Sequence, residues 1–172
     1  MLNDLSILNH FRMGMGHDTH RLAEGLPLVL GGVLIETSPK GAVAHSDGDV
    51  VWHALVDALL GATALGDIGD HFPPDDATWH KAEGVALWRL ACQAVQQQRG
   101  AFTLLNVDVT IHLETPKLKG YKLKIREQLS KDLALAKNNI CVKAKTAEGL
   151  DAVGQGEAIV ARVGLLLALK EA

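Results

Sequence analysis

Aromatic residues make up only 4% of the 172-residue chain, too few for the stacking platforms that bind single-stranded nucleic acid. Positive charge is not in excess either: 17 Lys and Arg stand against 20 Asp and Glu, for a net charge of -3, which argues against a general nucleic-acid binder. The two cysteines, Cys92 and Cys141, lie far apart without a Cys-x-x-Cys pairing. They exclude a disulfide framework and a thiolate zinc site and fit a reducing compartment. No hydrophobic run is long enough to span a bilayer; the most apolar one, Ala158 to Leu169, is short and interrupted by Arg162. The first residues lack the basic start and apolar run of a signal peptide, so a cytoplasmic location without membrane or nucleic-acid partners is expected. Also missing are a P-loop, a Gly-x-Ser-x-Gly elbow and a dinucleotide fingerprint, since Gly14-x-Gly16 leads into His-Asp-Thr-His rather than a helix. What remains is 48% hydrophobic and 22% charged, ordinary for a soluble chain with one real core.

The most informative stretch is residues 44–69, AHSDGDVVWHALVDALLGATALGDIG. His45, Ser46, Asp47, Asp49, His53, Asp57 and Asp67 interrupt an otherwise apolar helical sequence. Val50, Ala54, Leu55, Ala58 and Leu59 recur at helical spacing. Asp49, His53 and Asp57 are four residues apart, which stacks them on one helix face, and that face reads as metal- or proton-handling. Ser46-x-x-Asp49 also matches a helix N-terminal capping signature, which explains those two residues without chemistry.

Residues 1–11 carry no usable pattern and read as an extension, leaving 12–172 as one domain. Arg12 to Leu22 reads as a strand whose glycines pass close to other backbone, with Asp18 and His20 pointing to the same side. Two apolar strands flank Gly31-Gly32, a hairpin signal. Pro39-Lys40-Gly41 reads as a turn. Residues 70–81, with Pro73-Pro74, read as a solvated connector. Residues 80–99 read as an amphipathic helix with Ala82, Val85, Ala86, Leu90 and Val95 inward and Gly100 as its stop. Residues 101–115 form a strand with Val107, Val109 and Ile111 on one face. Lys117 to Leu133 reads as a basic helix, in which Lys117 follows Pro116 and is placed to face a cleft. Residues 140–147 read as a strand. For the final apolar run, periodicity leaves helix and buried strand open.

Asp18, His20 and His53 together supply two imidazoles and a carboxylate, the ligand set of an open zinc site, although Mn²⁺, Co²⁺ or Fe²⁺ suit the same donors. Glu148, beside Lys145 and Thr146, stands apart and suits Mg²⁺ held near phosphates. The residues point to metal-assisted chemistry at a phosphate or carbonyl.

These motifs, taken in order, are Asp18-x-His20, AHSDGDVxxHAxxDAxLGAxALGDIG, FPxxD, NVDVTI, a Pro-Lys pair and KAKTxE. The chain resembles the 2-C-methyl-D-erythritol 2,4-cyclodiphosphate synthase family over residues 12 to about 167. The resemblance implies an α/β (α+β type) subunit, a mixed four-stranded sheet covered by helices on one side. It further implies a homotrimer with active sites between subunits, and a final strand near the threefold axis. It implies conversion of 4-diphosphocytidyl-2-C-methyl-D-erythritol 2-phosphate, a nucleotide-linked polyol phosphate, to the cyclic diphosphate and CMP in the non-mevalonate route to isoprenoids.

Carried over by position, Asp18, His20 and His53 bind Zn²⁺, and Glu148 binds Mg²⁺ or Mn²⁺. His45 and Thr146 stabilise the transition state, with Ser46 on the loop beside His45. Asp57, Asp67, Ile68 and Gly69 lie at the erythritol, and Phe72 to Asp76 form a substrate-side loop. Leu113, Pro116, Lys117, Leu118 and Lys119, with Ala144, Lys145 and Thr146, make the cytidine and phosphate pocket. The chain departs from the family pattern at Ala152, Gln155 and Arg162, where many relatives have Phe, Arg and Glu around an axial cavity. Two other readings fit the same residues: a metal-dependent phosphohydrolase, and a trimeric nucleotide-binding module without turnover.

Overall fold

A computed structural model describes residues 9–44 and 46–170. Most of the proposed N-terminal extension, and His45, lie outside the described residues. The elements run β1 (Phe11–Glu24), β2 (Val29–Leu30), β3 (Val33–Leu34), β4 (Lys40–Val43), α1 (Val50–Ala62), α2 (Ile68–His71), α3 (Gly84–Arg99), β5 (Phe102–His112), α4 (Lys122–Asp132), β6 (Ile140–Lys145), α5 (Asp151–Gly154) and β7 (Ala158–Leu169).

The main sheet is five-stranded, in the order β4-β1-β7-β5-β6, rather than the four strands expected. The difference comes from the length of β1. Phe11 to Arg21 pair with β7, and β1 then overshoots, so that Arg21 to Glu24 recruit Lys40–Val43 as an edge strand. Gly41, expected in a turn, instead pairs with Ala23 in that strand, where a Cβ would come within 2.1 Å of the Pro27 carbonyl oxygen. β5 and β6 are parallel and the other pairings antiparallel. The final apolar run is thus a central strand. Its alternate residues Ile159, Ala161, Val163, Leu165 and Leu167 are buried, the period of two that a strand imposes.

Helices cover one face of the sheet. Val107, Val109 and Ile111 of β5 point into the core, as expected, and the core-facing α1 is nearly all apolar. α1 sits directly on the backbone of β1: a Cβ at Gly14 or Gly16 would lie 1.8 Å from the carbonyl oxygen of Ala58 or Ala54. The opposite face carries Met13 and Met15, 70% and 74% exposed, and Arg162.

Three sequence expectations shift. α3 buries Gly84, Leu87, Trp88, Ala91 and Val95, and Leu90 faces solvent, so the inward stripe lies one position away from most of the predicted one. The basic helix opens as a 3-10 turn at Leu118–Gly120 and becomes α-helical only at Lys122. The helix cap before α1 is Asp49, not Ser46. Gly31 and Gly32 do form the two-residue hairpin turn, at φ +58° and +77°, the left-handed conformations such turns require. Among the described residues, no helix is long and apolar enough to cross a membrane.

Candidate metal centre

Asp18 and His20 project from β1 toward α1 because the glycines two and four residues earlier let the helix settle on that strand. His53, one turn into α1, meets them. His53 Nδ1 lies 3.0 Å from Asp18 Oδ2 and 3.0 Å from His20 Nε2, and the latter lies 3.2 Å from Asp18 Oδ2. A tetrahedral ion with bonds of about 2 Å holds its ligand atoms about 3.3 Å apart, so the three atoms already stand at ligand spacing. Two imidazole nitrogens and one carboxylate oxygen aimed at one point need a proton or a cation between them, and this donor set fits a divalent metal.

Ser46 completes the arrangement. Its hydroxyl lies 3.0 Å from His53 Nε2. A hydrogen bond there occupies the outer ring nitrogen and leaves Nδ1 as the ligand, the second-layer orientation typical of metal-bound histidines. Asp47 stands 4.0 Å from the same nitrogen. Burial works against the charged form of His53, but the Asp18 hydrogen bond and charge outweigh it and raise its pKa. His20 shifts the other way, because burial dominates there and lowers its pKa. Burial would raise Asp18, yet the His53 hydrogen bond and the two imidazole charges hold it below the usual carboxylate range.

Asp49 and Asp57 leave this face. Asp49 is fully buried and accepts hydrogen bonds from the backbone N–H groups of Val51, Trp52, Gly31 and Gly32. It caps α1 and ties it to the β2–β3 hairpin, and burial pushes its pKa up to about 6. Asp57 accepts from Ile68 N–H at 2.9 Å, and burial raises it as well. Asp67 caps α2 in a reciprocal box with Asp70, and Asp76 caps the 3-10 turn Ala77–Trp79.

A cavity of about 270 Å³ opens beside the cluster, lined by His20, Ser46, His53, Ile68, Gly69 and Phe72, together with Ala44, Pro74, Trp79 and Leu87. Of these, Ala44, Trp79 and Leu87 were missed from sequence, and Pro74 falls within the expected substrate-side loop. Trp79 stacks edge-on against Phe72 at 5.0 Å between centroids, so the Pro73-Pro74 segment is a cavity wall rather than a solvated connector. An aromatic pair bracketing the prolines was the available signal.

A second cavity of about 270 Å³ is lined by Leu113, Lys117, Leu118, Lys119, Lys122, Ala144, Lys145 and Thr146. Pro116 is not among its lining residues. Glu114 accepts from Ala147 N–H and faces Lys117 Nζ at 3.8 Å. Thr146 donates its hydroxyl hydrogen bond to Glu148. Glu148 stands at φ +54°, a left-handed conformation uncommon for Glu that concentrates at functional sites. It is not part of the Asp18–His20–His53 cluster. Through the strand register Thr19, Val160, His112 and Lys145 form one row across the sheet. β1, which carries Asp18 and His20, and β6, which carries Ala144 and Lys145, are thus three strands apart in the sheet.

Fold and site define an α/β protein in which Asp18, His20 and His53 form a group that could hold a metal ion, with a separate lysine-lined pocket. The YgbB family model matches residues 11–168. A 2-C-methyl-D-erythritol 2,4-cyclodiphosphate synthase from Salinibacter ruber is 44% identical over 151 residues, 88% of this chain and 94% of that one. A solved 2C-methyl-D-erythritol-2,4-cyclodiphosphate synthase in its CDP-bound form superposes at TM-score 0.82 with 43% identity, covering 91% of this chain and 99% of the other. The bifunctional IspDF from Campylobacter jejuni superposes at TM-score 0.86 with 36% identity over 94% of this chain, which spans 43% of that longer one. The chain belongs to the YgbB family, whose relatives here are 2-C-methyl-D-erythritol 2,4-cyclodiphosphate synthases, and it is an enzyme.

Proposed function

We propose that this enzyme converts 4-diphosphocytidyl-2-C-methyl-D-erythritol 2-phosphate into 2-C-methyl-D-erythritol 2,4-cyclodiphosphate and CMP, in the cytoplasm, as a step toward isoprenoids. The observation that carries the reading is the convergence of Asp18, His20 and His53 at metal-ligand spacing beside an open cavity, in a chain of this family. Asp18, His20 and His53 would hold Zn²⁺, and Glu148 would hold Mg²⁺ or Mn²⁺. When bound, these ions polarise phosphoryl oxygens and screen their charge.

The substrate's 2-phosphate is ionised near neutral pH and needs no general base. One of its oxygens attacks the phosphorus of the diphosphate nearer the erythritol. The bond from that phosphorus to the bridging oxygen breaks, and CMP leaves with that oxygen and the electron pair. The chain's own task is to fold an anionic substrate back on itself and exclude water. Lys117 and Lys145 offset phosphate charge, Leu113, Leu118 and Ala144 seat the base and ribose, and Ile68, Gly69 and Phe72 wall the erythritol. His45 and Thr146 stabilise the transition state, and Ser46 orients His53. The three-strand separation in one chain between β1, which carries Asp18 and His20, and β6, which helps line the lysine pocket, supports a site shared between neighbouring copies in a homotrimer, each lysine-lined pocket serving the next copy's metal centre.

The test is phosphorus NMR of the reaction with this substrate, zinc and magnesium. Coupled cyclic-diphosphate resonances together with CMP support the proposal. CMP with a linear bisphosphate would make the enzyme a phosphohydrolase, and an unchanged spectrum would leave a nucleotide-binding module.

A further inference from the structure

A third cavity adjoins the lysine-lined pocket. It is a groove of about 500 Å³ between α4 and β6, and Lys119, Lys122, Arg126 and Asn138 line it along with Ile140 to Val142 of β6. Lys122 and Arg126 are one helical turn apart and Lys119 lies in the turn before them, so the same face presents all three. Ile125 and Leu129, on the adjoining stripe of α4, are fully buried and fix the helix's orientation against the core.

This groove has cations without counter-ions. Nearby carboxylates are already engaged: Glu114 with Lys117, Glu127 with Lys137, and Asp108 with Lys143 at 2.6 Å. No ion pair is formed by Lys119, Lys122 or Arg126 among the described residues. Arg126 Nε is buried and has no hydrogen-bond partner, an unfavourable state for a guanidinium N–H unless an acceptor is supplied from outside the chain. β6 is also the outermost strand of its sheet on that side, and an edge strand presents unpaired backbone N–H groups. A planar guanidinium fork, two ammonium groups, a side-chain amide and edge N–H groups together suit a multivalent oxyanion.

We propose that the α4–β6 groove is an anion site for a diphosphate group, with Arg126 as its anchor and Lys119, Lys122 and Asn138 around it. The groove shares Lys119 and Lys122 with the neighbouring lysine-lined pocket. The diphosphate is therefore either free in solution or carried by a nucleotide whose base sits next door. Binding of free diphosphate does not depend on the proposed reaction.

The test is a titration of the full chain with inorganic pyrophosphate, followed by calorimetry and by the ¹⁵N–¹H resonance of Arg126 Nε. Saturable binding with movement of that resonance is expected. Arg126→Gln should weaken it about tenfold, as loss of a charge-assisted hydrogen bond implies. Asn138→Asp, at an exposed position where folding is not at stake, should weaken it too by setting a carboxylate in the groove. A parallel CDP titration separates the sources: weakening by both variants assigns the groove to a nucleotide's diphosphate, and an effect on pyrophosphate alone assigns it to the free anion. Pyrophosphate binding that both variants leave unchanged, or no saturable binding, overturns the proposal.

Discussion

Gly16→Ala should disable the metal centre without touching a ligand. The added Cβ would stand 1.8 Å from the Ala54 carbonyl oxygen and 2.8 Å from Ala58 N. Both obstacles are main chain, so no rotamer change relieves them. Reaching an ordinary carbon–oxygen contact of about 3.3 Å requires α1 and β1 to part by about 1.5 Å. Gly16 is two residues before Asp18, and Ala54 follows His53, so the displacement falls between the ligands. Metal sites tolerate departures of about 0.2 Å, several times less than that shift. Zinc affinity should therefore fall by about 100-fold or more, the scale seen when ligand positioning is lost. Overpacking against backbone should cost about 3 kcal/mol, which lowers Tm by roughly 6–12 °C for a chain of this length. Competition against a chromophoric chelator measures the first and circular dichroism melting the second. Gly120→Ala, whose Cβ meets nothing within 4 Å, is the control. Zinc affinity and Tm indistinguishable from the control would refute the claim that backbone contact sets the ligand geometry.

His53→Ala should abolish bound zinc and turnover while the chain stays folded; a normal zinc content by elemental analysis would remove His53 from the ligand set. Glu148→Gln should raise the magnesium concentration needed for half-maximal activity, and an unchanged titration would take Glu148 out of the site. Asp49→Ala strips a buried cap from four backbone N–H groups and should cost about 3–5 kcal/mol in denaturant unfolding; a loss under about 1 kcal/mol would contradict its structural role. Zinc affinity should drop on acidification, because binding needs neutral imidazoles and displaces protons. The raised His53 pKa makes protons compete from above the ordinary imidazole value of 6.5, so a pH-independent affinity through that region would exclude His53 Nδ1 as a ligand.

The sequence made the Asp18–His20–His53 cluster legible because its spacing is local: Asp18 and His20 share a strand face, and His53 stands on a helix with an evident apolar stripe. What it obscured was the division of labour along that helix. Asp49, His53 and Asp57 share a spacing but not a task, since two of them are consumed by backbone N–H groups from β2–β3 and α2, contacts made only in three dimensions. The fifth strand was hidden for a related reason. Lys40–Val43 is short and begins beside Pro39, and only the overshoot of β1 past β7 turns it into an edge strand. Trp79 was lost because a proline-rich stretch reads as exposed until its flanking aromatics are seen to stack. The final apolar run shows the limit of periodicity: a strand in the middle of a sheet and a buried helix are equally hydrophobic.

Asp47 has a mechanical consequence. Its carboxylate accepts from Asp49 N–H on one oxygen and Gly84 N–H on the other, and its own N–H donates to the Ala82 carbonyl. The segment bearing Ser46 is thus stitched to the start of α3, where the segment carrying Phe72 and Trp79 ends. The two walls are therefore coupled: separating them would break the charge-assisted hydrogen bonds of a single carboxylate.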